Sequence, residues 1–351
     1  MREKDRGLIS NWLLIVAGAI ALMMVIGAIT RLTESGLSMT EWNLIGGFPP
    51  LHQSDWEILF EKYQGTPQHL ITFPDMNLEA FKRIFWWEYI HRMFGRGLGL
   101  LFGLPFLFLI LTKRVNAKWI GLLSIALVLG GMQGFLGWYM VQSGLVERPW
   151  VSPVRLTAHL MMALTLFSYT LGMALWIRFE PKESPISLSA SRPWLVALTL
   201  VILAQLILGG SMSGMKAAIS YPTYPDMNGV WIPEMLWKVE LGFLNFFENA
   251  TFVQFLHRSV ALVVAGLSGY LVWKHIRESD PRIKTLSYGL ASAVGLQFLI
   301  GVLTVINAKG EVPEVLGVAH QVGAIIVVSV VVCWWVLMQK GKIGNEKETL
   351  A

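Results

Sequence analysis

The sequence has a single cysteine in 351 residues, Cys333, and it lies in an apolar run near the C-terminus. An intrachain disulfide and a cysteine-based metal cluster are both excluded, which leaves packing as the role of Cys333. Charge is scarce as well. Asp, Glu, Lys and Arg make up 15% of the chain against 54% hydrophobic residues, and the mean hydropathy is +0.55. That balance excludes a pair of soluble domains and points to an integral membrane protein. No basic residues cluster as a soluble nucleic-acid face would need, so the net charge of +5 calls for no nucleic-acid partner. Neither a cleavable leader nor an Arg/Ser-rich transit sequence is recognisable ahead of the first apolar run. A bacterial inner membrane is the expected location.

What the sequence does have is eight apolar runs long enough to cross ~30 Å of hydrocarbon, at about 11–31, 88–112, 119–140, 155–177, 194–214, 251–274, 285–306 and 315–338. An even number puts both ends of the chain on one side. Positive residues are retained on the cytoplasmic side during insertion. The N-terminus (Arg2, Lys4, Arg6), the even-numbered loops (Lys113, Arg114, Lys118; Arg178, Lys182, Arg192; Lys274, Arg277, Arg282, Lys284) and the C-terminus (Lys340, Lys342, Lys347) hold 16 of the 28 Lys and Arg residues. Both termini are therefore expected in the cytoplasm. The outer segment 32–86 carries Pro49, Pro50, Pro67 and Pro74 among Trp42, Trp56, Trp86 and Trp87, and it reads as an ordered cap at the membrane surface. Its His52 and His69 lack metal-ligand spacing and read as surface or packing residues.

The chain also repeats itself. QFLHRSVALVVAG at 254–266 echoes EYIHRMFGRGLGL at 88–100, LQFLIG at 296–301 echoes MQGFLG at 132–137, and VAHQVGAI at 318–325 echoes TAHLMMAL at 157–164, with offsets of 166, 164 and 161 residues. A weaker echo links LGGSMSGMKAAIS at 208–220 to IGAITRLTESGLS at 26–38. A parallel repeat implies two similar bundles related by an axis along the membrane normal. The predicted fold is thus an all-α integral membrane protein whose eight transmembrane helices form two pseudo-symmetric four-helix bundles, residues 1–177 and 194–351, joined by a cytoplasmic linker at 178–193.

Four histidines, His91, His159, His257 and His320, open the second, fourth, sixth and eighth spans. All four spans run inward from the outer face, so the histidines share one depth, two in each half. Ionisable residues inside a membrane mark function, and two imidazoles opposed inside a helix bundle suit a haem iron better than zinc or copper, which need more nitrogen or sulfur ligands. Gly95, Gly99 and Gly103 would let a flat ligand approach. Arg92, Arg96 and Arg258 are candidates for haem propionates, with lipid phosphate or snorkelling as the alternative. The repeat fails at one informative place: Glu88 precedes His91 by three residues, whereas Gln254 precedes His257. Gln keeps the hydrogen bonding and discards the proton chemistry. Chemistry is therefore assigned to the N-terminal half, with Glu88 as the catalytic residue, and a structural or electron-transfer haem to the C-terminal half. Asn245, Glu248 and Asn249 read as caps for the sixth span.

EYIHRMFGRGLG, GGMQGFLG, TAHL, NFFEN followed by QFLHR, and the late AHQ together resemble the haem A synthase family over nearly the whole chain. They are similar to the branch shared by proteobacteria and mitochondria, because no cysteine pair stands in the first outer loop. The resemblance implies an oxidase that converts haem O, its substrate, to haem A for cytochrome oxidase by oxidising a ring methyl to a formyl group. It also implies that His91 and His159 hold the iron of the substrate haem, that Glu88 assists, and that His257 and His320 ligate the iron of a resident haem b cofactor. Expected partners are a haem O synthase, an electron acceptor or donor and membrane lipid, with a homo-oligomer left open. The runner-up is a dihaem electron-transfer protein of the cytochrome b type, in which Glu88 would have no chemistry to do. A repeat-built transporter is the third reading, and it would need polar groups near the bilayer midplane rather than at one face.

Overall fold

The computed structural model describes residues 5–42, 47–146, 148–179, 191–234 and 236–338. Its long helices are α1 Arg6–Leu32, α2 Gln53–Gln64, α3 Leu78–Leu111, α4 Ala117–Val146, α5 Pro153–Phe179, α6 Arg192–Gly214, α7 Ala250–His275, α8 Pro281–Ile306 and α9 Glu314–Met338. All but α2 are long and apolar enough to cross a membrane. This is a multi-pass membrane protein, all-α, with no strand among the described residues. A backbone inside hydrocarbon must satisfy its own hydrogen bonds, so each apolar run closes into a helix. Most of the linker predicted at 178–193, and Arg2, Lys4, Lys182, Lys340, Lys342 and Lys347 of the charge count, lie outside the described residues.

Local chemistry sets the helix ends. Asn77 caps α3 by accepting from the Ala80 N–H (2.9 Å), Asn249 caps α7 by accepting from Phe252 (3.1 Å), and Asp280 caps α8 by accepting from Arg282 (2.8 Å). Pro193 and Pro281 occupy first-turn positions, where a missing N–H costs nothing. Helix α3 begins ten residues before the predicted start, because Phe81 and Phe85 bury themselves against Trp56 and Tyr63 of α2 in a small core of their own. That core is the cap expected over 32–86. His69 is buried beside Phe60 and Tyr63 as a packing residue, and the His52 N–H donates to Asp55 at the start of α2.

Below the cap α1 packs along α3 and α5, α6 along α7, and α8 along α9, while α5 also meets α6 and α9 and α1 meets α9. Two tight crossings join α5 to α6 and α1 to α9: Gly214 against Pro153 and Leu156, and Gly317 against Leu32. A Cβ at Gly214 would lie 2.8 Å from the Pro153 Cα, and one at Gly317 would lie 2.8 Å from the Leu32 Cδ1. Without a solvent-driven hydrophobic effect in lipid, such close van der Waals contact is what holds helices together. Polar ties run across the same seam: Arg31 donates to the Ser213 carbonyl at 2.5 Å, and Glu34 pairs with Lys216.

Candidate functional site

One continuous cavity of about 2040 Å³ runs between the helices and is lined by Glu88, His91, His159, His257 and His320. Pockets for a single drug-sized ligand run ~300–1,000 Å³, so this one has room for more than one large group. The histidines come from α3, α5, α7 and α9, and each ring is half-buried because one face looks into the cavity.

The rings of His257 and His320 stand 6.4 Å apart, centre to centre, with planes inclined at 70°. Two metal–imidazole bonds of ~2.0–2.1 Å, plus about 1.1 Å from each nitrogen to its ring centre, span roughly 6.3 Å. The separation of this pair matches that span. His91 and His159 face the same cavity. The Nδ1 atoms of all four histidines are buried without a hydrogen-bond partner, so the site holds unused polar capacity in an apolar wall, the donor set a metallated macrocycle needs. No group of three or more His, Cys, Asp or Glu converges among the described residues.

Amides accompany three of the rings. Gln133 approaches His159, Gln205 approaches His257 and Gln297 approaches His320, at 3.3, 3.2 and 3.4 Å between the amide nitrogen and the ring Nε2. His91 has no hydrogen-bond partner among the described residues. Gln205 was missed in the sequence, although the spacing QGFLG, QLILG and QFLIG in α4, α6 and α8 would have disclosed it.

Glu88 is only 2% exposed and both of its oxygens are engaged. Oε2 accepts from the Ser38 hydroxyl and the Met39 N–H, each at 2.7 Å, and Oε1 pairs with Arg92 one turn along α3. Arg92 donates further to the carbonyls of Glu41 (2.7 Å) and Met39 (3.0 Å) and covers the Trp42 ring at 4.9 Å. The corresponding groups on α7 do the same for another loop: Gln254 donates to the Tyr221 carbonyl (3.0 Å), and Arg258 donates to Tyr221 (2.7 Å) and Asp226 (2.8 Å). Arg92 and Arg258 thus tie the segments at 39–41 and 221–226 to their helices. Arg31, Arg96, Arg148 and Lys216 also line the cavity; only Arg96 was a sequence candidate.

The cap and an ion pair stand at one end of the cavity. Gln68 lines the cavity, donates to the Glu34 carbonyl (2.9 Å) and accepts from the Tyr63 hydroxyl (3.1 Å). Burial, and then the nearby carboxylates of Glu34 and Glu88, push the Tyr63 hydroxyl well above its ordinary pKa, so it stays a donor. Arg148 faces Glu248 at 3.6 Å, and Asn245 bonds the backbone of Lys238 and Gly242, leaving Asn249 as the true cap of α7.

Comparison with known proteins gives a consistent result. Residues 10–332 match the family model described as cytochrome oxidase assembly protein, COX15-CtaA. The chain is 39% identical over 342 residues to a protein of Paramagnetospirillum magneticum named heme A synthase, covering 95% of this chain and 94% of that one. It is 40% identical over 327 residues to the heme A synthase of Nitrosospira multiformis (91% and 90% covered) and 35% identical over 330 residues to that of Paracoccus denitrificans (91% and 85%).

Proposed function

The chain belongs to the cytochrome oxidase assembly protein family, and from that membership and the site we propose that it is a haem A synthase, an oxidoreductase acting on haem O. The observation that carries the reading is four histidines lining one cavity, with Glu88 one turn before His91 where Gln254 stands before His257. The cytochrome b type conduit is not favoured, because the relatives matched over nearly the whole chain are named heme A synthase.

In this reading the chain is two pseudo-symmetric halves, 1–177 and 194–351, and the N-terminal half binds the substrate. His91 and His159 hold haem O through its iron and set which ring methyl faces Glu88. Converting that methyl to a formyl group removes four electrons and, with the new oxygen counted as coming from water, releases four protons. His257 and His320 would hold haem b, which when bound would supply a one-electron relay. Glu88 receives protons from the reacting carbon or its hydroxyl: as an anion it is an acceptor, and the Ser38 hydroxyl and Met39 N–H keep its Oε2 in place. Arg92 pairs with Oε1 and offsets the carboxylate's charge inside the apolar wall. The cap and the two anchored loops exclude water from the outer end of the cavity, which strengthens those electrostatic contacts. Gln254, lacking a titratable oxygen, only fixes its loop.

The protein sits in a bacterial inner membrane with both termini in the cytoplasm, takes haem O from a haem O synthase and passes electrons to a redox partner. The test is chromatography of haems extracted from purified protein. His257→Ala should lose haem b, and His91→Ala should lose haem O and haem A while retaining haem b. Loss of the same single haem species from both variants would refute the division of labour.

A further inference from the structure

Each of the four histidines touches a glycine on the helix that precedes its own or, for His91, on α1. An ideal Cβ at Gly27 would lie 3.1 Å from the His91 Cε1, one at Gly137 3.1 Å from His159, one at Gly209 3.2 Å from His257 and one at Gly301 2.9 Å from His320. In all four the atom met is the same ring edge, Cε1 between the two nitrogens. Other glycines of these helices, such as Gly18 on α1, Gly121 on α4 and Gly295 on α8, have open space where a Cβ would go. Gly144 on α4 and Gly210 and Gly214 on α6 also meet close neighbours, but those are Leu37, Thr157 and Pro153 and not a histidine.

We propose that Gly27, Gly137, Gly209 and Gly301 are positioning residues, each fixing where its partner histidine presents its ring to an iron. This rests on the histidine pairs being haem ligands, as inferred above. A metal bond tolerates about ±0.2 Å in ligand position. An alanine at any of the four would force the ring to give by a few tenths of an ångström, and the ring can yield only by turning or moving into the cavity. Glycine is also the one element common to all four rings. One turn earlier on the glycine-bearing helix, three rings meet an amide, Gln133, Gln205 or Gln297, but α1 carries Met23, whose methyl would lie 3.2 Å from a Cβ at Gly95. His91 thus has the Gly27 contact without an amide beside its ring.

The experiment measures haem bound per chain after gel filtration, together with the low-spin signal of each site, in Gly→Ala variants beside the matching His→Ala variants. Outer partners of metal ligands cost ~10–100-fold in affinity when altered, and a loss of that size is expected at one half only. Gly209→Ala and Gly301→Ala should lose the haem that His257→Ala loses. Gly27→Ala and Gly137→Ala should lose the haem that His91→Ala loses, with Gly27→Ala the more severe. Gly18→Ala, Gly121→Ala and Gly295→Ala should keep both. Haem retained in Gly209→Ala and Gly301→Ala but lost in His257→Ala overturns the positioning role and leaves the ligand assignment standing; haem retained in His257→Ala overturns the assignment itself. Should Gly209→Ala not accumulate, Gly209→Ala combined with His257→Ala decides. Recovery of the double variant shows that the ring is what the methyl meets, and failure of the double variant to accumulate contradicts the proposal.

Discussion

Replacing Glu88 by Gln removes one oxygen and one charge from a buried cluster. The remaining carbonyl must serve Arg92, the Ser38 hydroxyl and the Met39 N–H, three donors that two carboxylate oxygens now share. Arg92, 8% exposed, would keep its charge without a counter-charge. Breaking one side of a buried ion pair costs ~3–5 kcal/mol. Arg92→Gln should cost a comparable ~3–5 kcal/mol, because it strands the carboxylate and frees the Glu41 and Met39 carbonyls. With both charges gone neither penalty is paid in full, so the double variant should be less destabilised than the sum by ~2–3 kcal/mol. The assay is denaturant unfolding of the four proteins in one detergent, with limited proteolysis of the 33–42 segment as a local readout. Single costs that add to within ~0.5 kcal/mol of the double would refute the view of Glu88 and Arg92 as one coupled unit.

Phe81→Ala should destabilise the cap by ~3–5 kcal/mol, since Phe81 is fully buried against Tyr63 and Phe60; protease cleavage within α2 should rise while the haem spectra stay unchanged. Lys216→Ala removes an ion pair to Glu34 whose partners are both partly exposed, so unfolding should shift by no more than ~1 kcal/mol. The Asp226 carboxyl is held below the ordinary carboxylate range by the Gly229 N–H and then by the Thr223 hydroxyl. Its contribution to the 221–234 loop is therefore complete above the ordinary carboxylate pKa and lost only as pH falls through the lowered value. Proteolysis of that loop should stay flat from neutral to mildly acidic pH and rise below, and Asp226→Asn should abolish the rise.

The spans were legible because lipid imposes a length and a composition that few other constraints imitate. The apolar run that begins at 88 hid the true start of α3, since Glu79, Lys82 and Arg83 mark 78–87 as polar although its other face is buried in the cap. The histidines, Glu88 and its exchange for Gln254 were readable from register alone. The i,i+4 spacing of Glu88 and Arg92 was equally readable, but the loop carbonyls that Arg92 and Arg258 reach were not, because they depend on where distant chain passes. Gly27 could not be paired with His91 from spacing either, since only the packing of α1 on α3 brings them together.

The central claim is that this chain oxidises haem O and that Glu88 does the proton chemistry. The most direct measurement is the haem A formed in membranes supplied with haem O, in wild type, Glu88→Gln and Arg92→Gln. The account predicts haem A in the wild type, none in Glu88→Gln with haem b still bound, and residual haem A in Arg92→Gln, which loosens the same loop but keeps the carboxylate. Haem A formed at the wild-type level by Glu88→Gln would contradict it.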